Sequence, residues 1–358
     1  MHLASSSGAL FGPPSPSLRA SIVVPAKDEA DCLPALVRAL DRLALPAGWV
    51  AGSVEALVLL NNCSDGSAEA LAPFADARPW LHVGCVDLAP AEAHVGRARQ
   101  LLFDAAAARL ADVGQPGGLV LSTDADSRPA PDWLAETVAE TLRGADLVGG
   151  RIGLGSLERA ALSPGVRRLY LLDLGYRRAL ERVRSLYAPD PADPYPRHHQ
   201  HYGASLAVRA DVYRRAGGMP AVRTSEDVAL VRAVEAVGGR VRHSDRVRAT
   251  TSARRVGRAE GGLADAFTYW SECVDAGRPV TVESSADADA RLGRLGLWRQ
   301  AHAGPAPAAL VETPAGGQEI TAAIAGLRAI ADRLVRLSLA ERLDAAARHA
   351  NMPALRAA

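Results

Sequence analysis

The chain has 358 residues, 48% of them apolar and 23% charged, the make-up of a packed globular protein and not of a disordered one. Its 41 basic and 40 acidic residues leave a formal net charge of +1, so no global field draws in nucleic acid or an acidic membrane, and any anion recognition has to be local. No run approaches the ~20 apolar residues of a membrane span, the N-terminus lacks a signal peptide's charged and apolar regions, and Cys32, Cys63, Cys85 and Cys273 show no disulfide or zinc spacing. These four read as buried, reduced thiols, and a cytoplasmic protein is expected.

In chain order, residues 1–18, with Ser5-Ser6-Ser7 and Pro13, Pro14 and Pro16, read as a flexible leader. From there to about residue 150, short apolar runs at Ser21–Pro25, Ala56–Leu60, Leu81–Val86 and Leu119–Ser122 alternate with helical patterns at roughly 31–43, 66–76, 94–113 and 131–143. Continuous apolar strands joined by helical crossovers predict a doubly wound, mostly parallel α/β sheet covered on both faces. A second section, roughly 145–255, starts with the regular stretch Asp146–Ile152, loses regularity through the proline-rich stretch from Ala188 to Arg197 and recovers at Tyr202–Val208. A helix follows from Ser225 to about Val237, stopped by Gly238-Gly239. Beyond 280 the chain reads as loop and then, from about 318 to 350, as Ala/Leu/Arg helices. Arg328, Arg333, Arg336, Arg342 and Arg348 are expected on their solvated faces, which could support a homodimer. The organisation so read is 1–18, 19–150, 151–280 and 281–358.

Ligands of such sheets bind beyond the carboxyl ends of the strands. Those ends carry Pro25-Ala26-Lys27-Asp28-Glu29, Asn61-Asn62-Cys63-Ser64-Asp65-Gly66-Ser67 and Thr123-Asp124-Ala125-Asp126-Ser127, all polar or charged and all on one predicted edge. Asp124 and Asp126 flank a small residue, so both carboxylates can reach one point, as a hard divalent cation requires. Magnesium or manganese, completed by waters and substrate phosphate oxygens, suits such a pair. Lys27 is the single lysine among the basic residues. That skew suggests a GC-rich bacterial genome, in which a surviving lysine can mark a need for a compact ammonium.

A strand, Asp-Ala-Asp, and then Ser127-Arg128-Pro129-Ala130-Pro131-Asp132-Trp133-Leu134 entering a helix, behind a Pro-Ala-Lys-Asp-Glu-Ala strand end and an Asn-Asn-Cys-Ser-Asp-Gly-Ser strand end, resembles family 2 glycosyltransferases over about residues 20–255. The resemblance implies a GT-A type, Rossmann-like fold with a C-terminal helical extension. It also implies a nucleoside-diphosphate sugar as donor. By resemblance, Pro25, Ala26, Lys27, Glu29, Asn62, Asp65, Arg97, Asp124 and Ala125 surround the donor. Asp126, with Asp124, holds the metal, Asp126 the surer ligand. Asn61-Asn62 departs from the paired aspartates of many members, and an amide both donates and accepts where a carboxylate only accepts, so the base stays open.

The second half of the likeness is Thr224-Ser225-Glu226-Asp227-Val228, matching the Glu-Asp at a helix head of inverting members. It implies Asp227 as general base, with Glu226 beside it, taking the acceptor's proton as that oxygen attacks the anomeric carbon. The same letters also fit a Ser225 N-cap with acids in the first helical turn. A helix N-terminus stabilises a carboxylate, so positioning has to supply much of the rate.

In the family the region of His201, Tyr202, Gly203 and Ala204 lines the acceptor pocket, for a small-molecule or lipid-linked acceptor. A metal reading of His198, His199 and His201 lacks an acidic partner at ligand spacing. His243 is a further metal candidate, and Arg254-Arg255 a candidate diphosphate cover. Membrane synthases carry Gln-x-x-Arg-Trp and spanning helices, and Leu297-Trp298-Arg299-Gln300 only reuses the letters, so transfer of a single sugar is expected. Two rivals stand beside this reading. A sugar nucleotidyltransferase would open on a glycine-rich strand end, which Pro25–Glu29 is not. A non-catalytic nucleotide-sugar-binding GT-A domain would have no need of Asp124, Asp126 and Asp227.

Overall fold

Strand β1 (Ala20–Ala26) is buried along its whole length. It organises the first of two compact units, which holds the residues up to Gly155 together with Gln200–Ser252; Ser156–His199 and the residues from Ala253 on form the second. The computed structural model describes residues 10–254, 262–302, 304–314 and 316–349.

The first unit runs β1, α1 (Leu33–Leu40), β2 (Val54–Asn61), α2 (Ser67–Asp76), β3 (Leu81–Val86), α3 (Val95–Asp112), β4 (Leu119–Ser122), β5 (Arg128–Pro129), α4 (Trp133–Leu142) and β6 (Leu147–Leu154). It resumes with β7 (Leu206–Arg209), α5 (Ala210–Arg215), α6 (Glu226–Ala236) and β8 (Val241–Thr251). The sheet order is β3-β2-β1-β4-β7-β6-β8-β5. β1 pairs in parallel with β2 on one side and β4 on the other, and β2 with β3. β7 runs antiparallel to both β4 and β6, while β6 and β8 are parallel. The carboxyl ends of β1, β2, β3, β4, β6 and β8 therefore share one edge, and the chain reverses its winding between β1 and β4, where such sheets bind ligands. This is the mostly parallel, doubly wound α/β arrangement expected.

Burial alternates by side of the sheet, as the two-residue strand period requires. Val23, Leu57, Leu59 and Val120 pack with Ala98, Leu102 and Phe103 of α3 on one face. Ile22, Val24, Val58 and Leu60 pack with Leu33, Leu36 and Val37 of α1 and Trp133 and Leu134 of α4 on the other. With both faces covered, the strands read as continuous apolar runs.

Three readings need correction. Residues 10–18 of the expected leader pack: Phe11 and Leu18 are buried, and Arg109 of α3 donates to the carbonyls of Phe11 (3.2 Å) and Gly12 (2.5 Å) while pairing with buried Glu55. An arginine buried to neutralise Glu55 has donors left over, and those draw the segment in. Residues 1–9 lie outside the described residues. The cysteines are all free, but Cys85 is exposed and only Cys273 is buried. Residues after 280 are not loop: Ser285–Ala301 is a helix, capped by Ser284, whose hydroxyl accepts from Asp287 N at 3.1 Å. Glycines at its packing face hid the pattern. A Cβ on Gly296 would lie 2.6 Å from Tyr187 O, and one on Gly293 2.7 Å from Ala346 Cβ, so only glycine lets these helices approach.

In the second unit this helix packs with Pro164–Tyr187, Ile320–Val335 and Leu339–His349 around Leu180, Val183, Leu292, Leu295, Ile324 and Leu327. Of the arginines expected on solvated faces here, Arg333 meets Asp289 at 2.6 Å and Arg342 donates to the carbonyls of Leu334 and Leu186. No helix among the described residues is long and apolar enough to cross a membrane.

Candidate active site

The ends of β1 and β2 are laced together by carboxylates. Asp28 Oδ1 accepts from the backbone N–H of Ser64 (2.6 Å) and Asp65 (3.3 Å) and from the Ser64 hydroxyl (3.2 Å). The Ser64 N–H above all holds the Asp28 carboxyl below its ordinary value. Asp65 accepts from the N–H groups of Ala30 and Ser67, both at 3.0 Å, and from the Ser67 hydroxyl; that hydroxyl in turn accepts from Glu29 N–H at 2.9 Å. Asn62 is occupied as well: its amide donates to Leu88 O (2.9 Å) and accepts from Leu88 N–H (3.2 Å), which ties the ends of β2 and β3. Pro25 and Ala26 close β1, Glu29 is buried and Lys27 is exposed. Asp28, Cys63 and Asp65 cluster closely enough to suggest a metal, but these backbone bonds account for the cluster.

At β4 the decisive contact is one the sequence left unnamed. Arg99 of α3, fully buried, donates from Nη2 to Asp124 Oδ1 at 2.7 Å and from Nη1 to Glu226 Oε1. The acidic turn and the helix head, about a hundred residues apart in sequence, thus share one guanidinium. Burial opposes the charge on Arg99, yet Asp124, Glu226 and Asp227 together hold it above its ordinary value. Burial also pushes the Glu226 carboxyl up, with Arg99 opposing. Arg97, the residue expected to face the donor, instead donates to Gln100 Oε1 at 2.8 Å and lies 3.5 Å from Glu92. The signal for Arg99 was present. It shares the buried stripe of α3 with Ala98, Leu102, Phe103 and Ala106, and a cation on an apolar stripe requires an internal partner.

Asp227 is fixed from two sides. Its Oδ2 accepts from Gly203 N–H at 2.8 Å and its Oδ1 from Val228 N–H at 2.7 Å. Residues 203–205 form a 3-10 turn, and β7 starts at Leu206. Thr123 Oγ1 donates to Ala204 O at 3.1 Å and Trp133 Nε1 to Ser205 Oγ at 2.8 Å, so this turn is set on the end of β4. A Cβ on Gly203 would overlap the guanidinium of Arg99. Gly203→Ala is therefore expected to cost about 1–3 kcal/mol of stability by overpacking and to weaken the Asp124–Arg99–Glu226 bridge, which urea denaturation of the two proteins measures.

Ser225 takes φ 59° at the head of α6 and its side chain makes no capping bond, so the N-cap account of Ser-Glu-Asp does not hold. Among the described residues, the non-glycine positions with positive φ are Asp28, Asn62 and Ser225, all at this edge. Left-handed backbone at non-glycine residues is held only where surroundings enforce it. Thr251 Oγ1, at the end of β8, reaches Asp126 Oδ1 at 3.4 Å. His243, eight residues earlier on β8, lies with its Nε2 2.9 Å from His201 Nδ1, and His201 is also in ring contact with the half-exposed Tyr202. Of Arg254-Arg255, the second residue lies outside the described residues.

The donor set suits a hard divalent cation: Asp124 and Asp126 offer carboxylate oxygens on one turn, and the buried hydroxyls of Ser122 and Ser127 that bracket it have no partner among the described residues.

The sheet is of the mostly parallel GT-A type, with the acidic turn at its switch point. Residues 21–192, just under half of the chain, match the sequence model of glycosyl transferase family 2. The match ends before Glu226 and Asp227, which rest on geometry. Among solved structures, a mannosyltransferase from Pyrobaculum calidifontis in complex with GDP-Man and Mn2+ is 16% identical, covering 94% of this chain and 76% of that one at a TM-score of 0.44. S. aureus TarS 1-349 with UDP-GlcNAc is 14% identical, covering 91% and 72%, at 0.44. Glucosyl-3-phosphoglycerate synthase from Mycobacterium tuberculosis, with Mn2+, UDP-glucose and phosphoglyceric acid, is 15% identical, covering 78% and 85%, at 0.40. Likenesses this distant say nothing about substrate. No curated protein matches the sequence.

Proposed function

We propose that the chain transfers one sugar, with inversion, from a nucleoside-diphosphate sugar to an acceptor hydroxyl, in a metal-dependent reaction at the Asp124-Ala125-Asp126 turn in the cytoplasm. The observation that carries this is the Arg99 bridge, which brings Asp124 to the helix head bearing Asp227. Asp126, together with Asp124, would hold manganese or magnesium. That ion would neutralise the charge that collects on the departing diphosphate. The protein's own groups do the rest. The acceptor oxygen forms its bond to the anomeric carbon as the bond from that carbon to the diphosphate oxygen breaks, and the electron pair leaves on the diphosphate. The acceptor proton passes to Asp227, whose backbone bonds to Gly203 and Val228 fix its direction while each oxygen keeps a lone pair. The frame built by Asp28, Asn62 and Asp65 shapes the nucleoside end. The acceptor side would be lined by His201 and Tyr202 beside the Gly203-Ala204 turn. The four free cysteines support a reducing compartment.

Calorimetry with UDP, GDP and CDP, each with and without manganese, tests this. One nucleoside diphosphate is expected to bind at least about tenfold more tightly with the metal. Absence of metal-dependent binding by all three would sink the reading.

A further inference from the structure

The second unit contains a cleft of about 290 Å³ between the helices Pro164–Tyr187 and Ile320–Val335. Its floor is apolar, built from Gly175, Ala179, Leu327 and Ala331. Its walls are cationic. Arg178 and Arg182 stand on the first helix and Arg328 on the second, against a lone acidic lining residue, Asp332. Elsewhere in this unit arginines meet carboxylates: Arg177 meets Asp173 at 2.8 Å, Arg291 meets Glu283 at 2.8 Å and Arg333 meets Asp289 at 2.6 Å. Among the described residues Arg178, Arg182 and Arg328 have no such ion pair. Three guanidinium groups line one cleft that holds a single carboxylate, Asp332.

The cleft is also braced. Arg182 lies over the ring of Tyr195, 4.5 Å from its centroid, which holds the guanidinium at the cleft wall. The segment carrying Tyr195 is fastened by buried Arg197, whose Nε donates to Glu181 Oε2 at 3.1 Å and whose Nη1 donates to Asp193 O at 2.9 Å. Glu181 belongs to the same helix as Arg178 and Arg182, so the aromatic wall and the cationic wall are tied to one element. Guanidinium forks match phosphate oxygens in pairs, and an apolar floor beneath them suits a hydrocarbon arm.

We infer that this cleft is a binding site for a phosphomonoester carrying an apolar arm, separate in its residues from the Asp124-Ala125-Asp126 turn. The inference does not rest on the donor chemistry proposed above. Calorimetry with phenyl phosphate, without metal or nucleotide, tests it on the full chain. Wild type is expected to bind, and the triple variant Arg178→Gln, Arg182→Gln, Arg328→Gln to bind at least about tenfold more weakly. A charge-matched triple variant at exposed positions, Arg159→Gln, Arg278→Gln, Arg294→Gln, is expected to stay within about twofold of wild type. Arg178→Gln alone, also at an exposed position, should lower affinity and covers the case in which the cleft triple variant does not fold. Co-sedimentation with phosphatidylcholine vesicles containing phosphatidic acid separates the sources. Cleft-dependent sedimentation assigns the phosphate to a lipid headgroup, and phenyl phosphate binding without it assigns a soluble ester. Wild type that binds neither probe, a folded cleft variant that binds like wild type, or a control that loses as much affinity would each overturn the inference. Metal-dependent nucleoside diphosphate binding should be the same in all these variants.

Discussion

Asp227→Asn is expected to lower kcat by about 10²–10⁴-fold, the usual loss when a general base is removed, with metal-dependent donor affinity unchanged. The argument is geometric. Asp227 is held by the N–H groups of Gly203 and Val228 and does not accept from Arg99 in the bridge, so the amide oxygen can keep one of these two bonds and leave the Arg99 bridge in place while the amide is unable to take a proton. Steady-state turnover with acceptor, alongside calorimetry of the donor nucleotide, separates the two effects. A loss confined to KM would make Asp227 a binding residue. Unchanged turnover would remove it from the mechanism.

Arg99→Met is expected to destabilise the fold by about 3–5 kcal/mol at neutral pH, because taking away one member of a buried charged set leaves the others uncompensated. Glu226 is buried, and Asp124 loses its partner with it. The pH dependence follows from the direction in which Glu226 is shifted. Burial raises its carboxyl in the folded state and Arg99 opposes that rise, so without Arg99 the folded value climbs further. A carboxyl raised on folding contributes stability that is fully present below its unfolded value and is lost as pH rises through its folded value. The deficit of Arg99→Met against wild type should therefore shrink as pH is lowered below neutrality. Chemical denaturation across that range reads it, and a deficit independent of pH would show that Glu226 is not what Arg99 neutralises.

The pattern of residues 20–150 made the sheet legible, since strands buried on both faces announce themselves as apolar runs and their crossovers as three-and-four spacing. β1 to β4 and the helices between them fall within a few residues of the expected positions. The first-strand, second-strand and acidic-turn segments were legible for the same reason: polar residues at the end of an apolar run stand out. Long-range partners were not legible. Arg97 and Arg99 look alike in the sequence, and only the buried side of α3 tells them apart. Asn62 looked like a group free for a base, yet its amide is spent on the Leu88 backbone, a partner 26 residues away. The helix Ser285–Ala301 was missed because Gly293 and Gly296 dilute its apolar period while serving close packing. Phe11 lay in a stretch too short and proline-rich to show periodicity, and what orders it is Arg109, a residue nearly a hundred positions on.

The claim at the centre of this account is that Asp126 anchors a metal through which donor diphosphate is bound. Calorimetry of the preferred nucleoside diphosphate with manganese, on wild type and on Asp126→Ala, measures it directly. The account predicts metal-dependent binding by wild type and a loss of at least about tenfold in the variant. Equal metal-dependent affinity in the two proteins would contradict it.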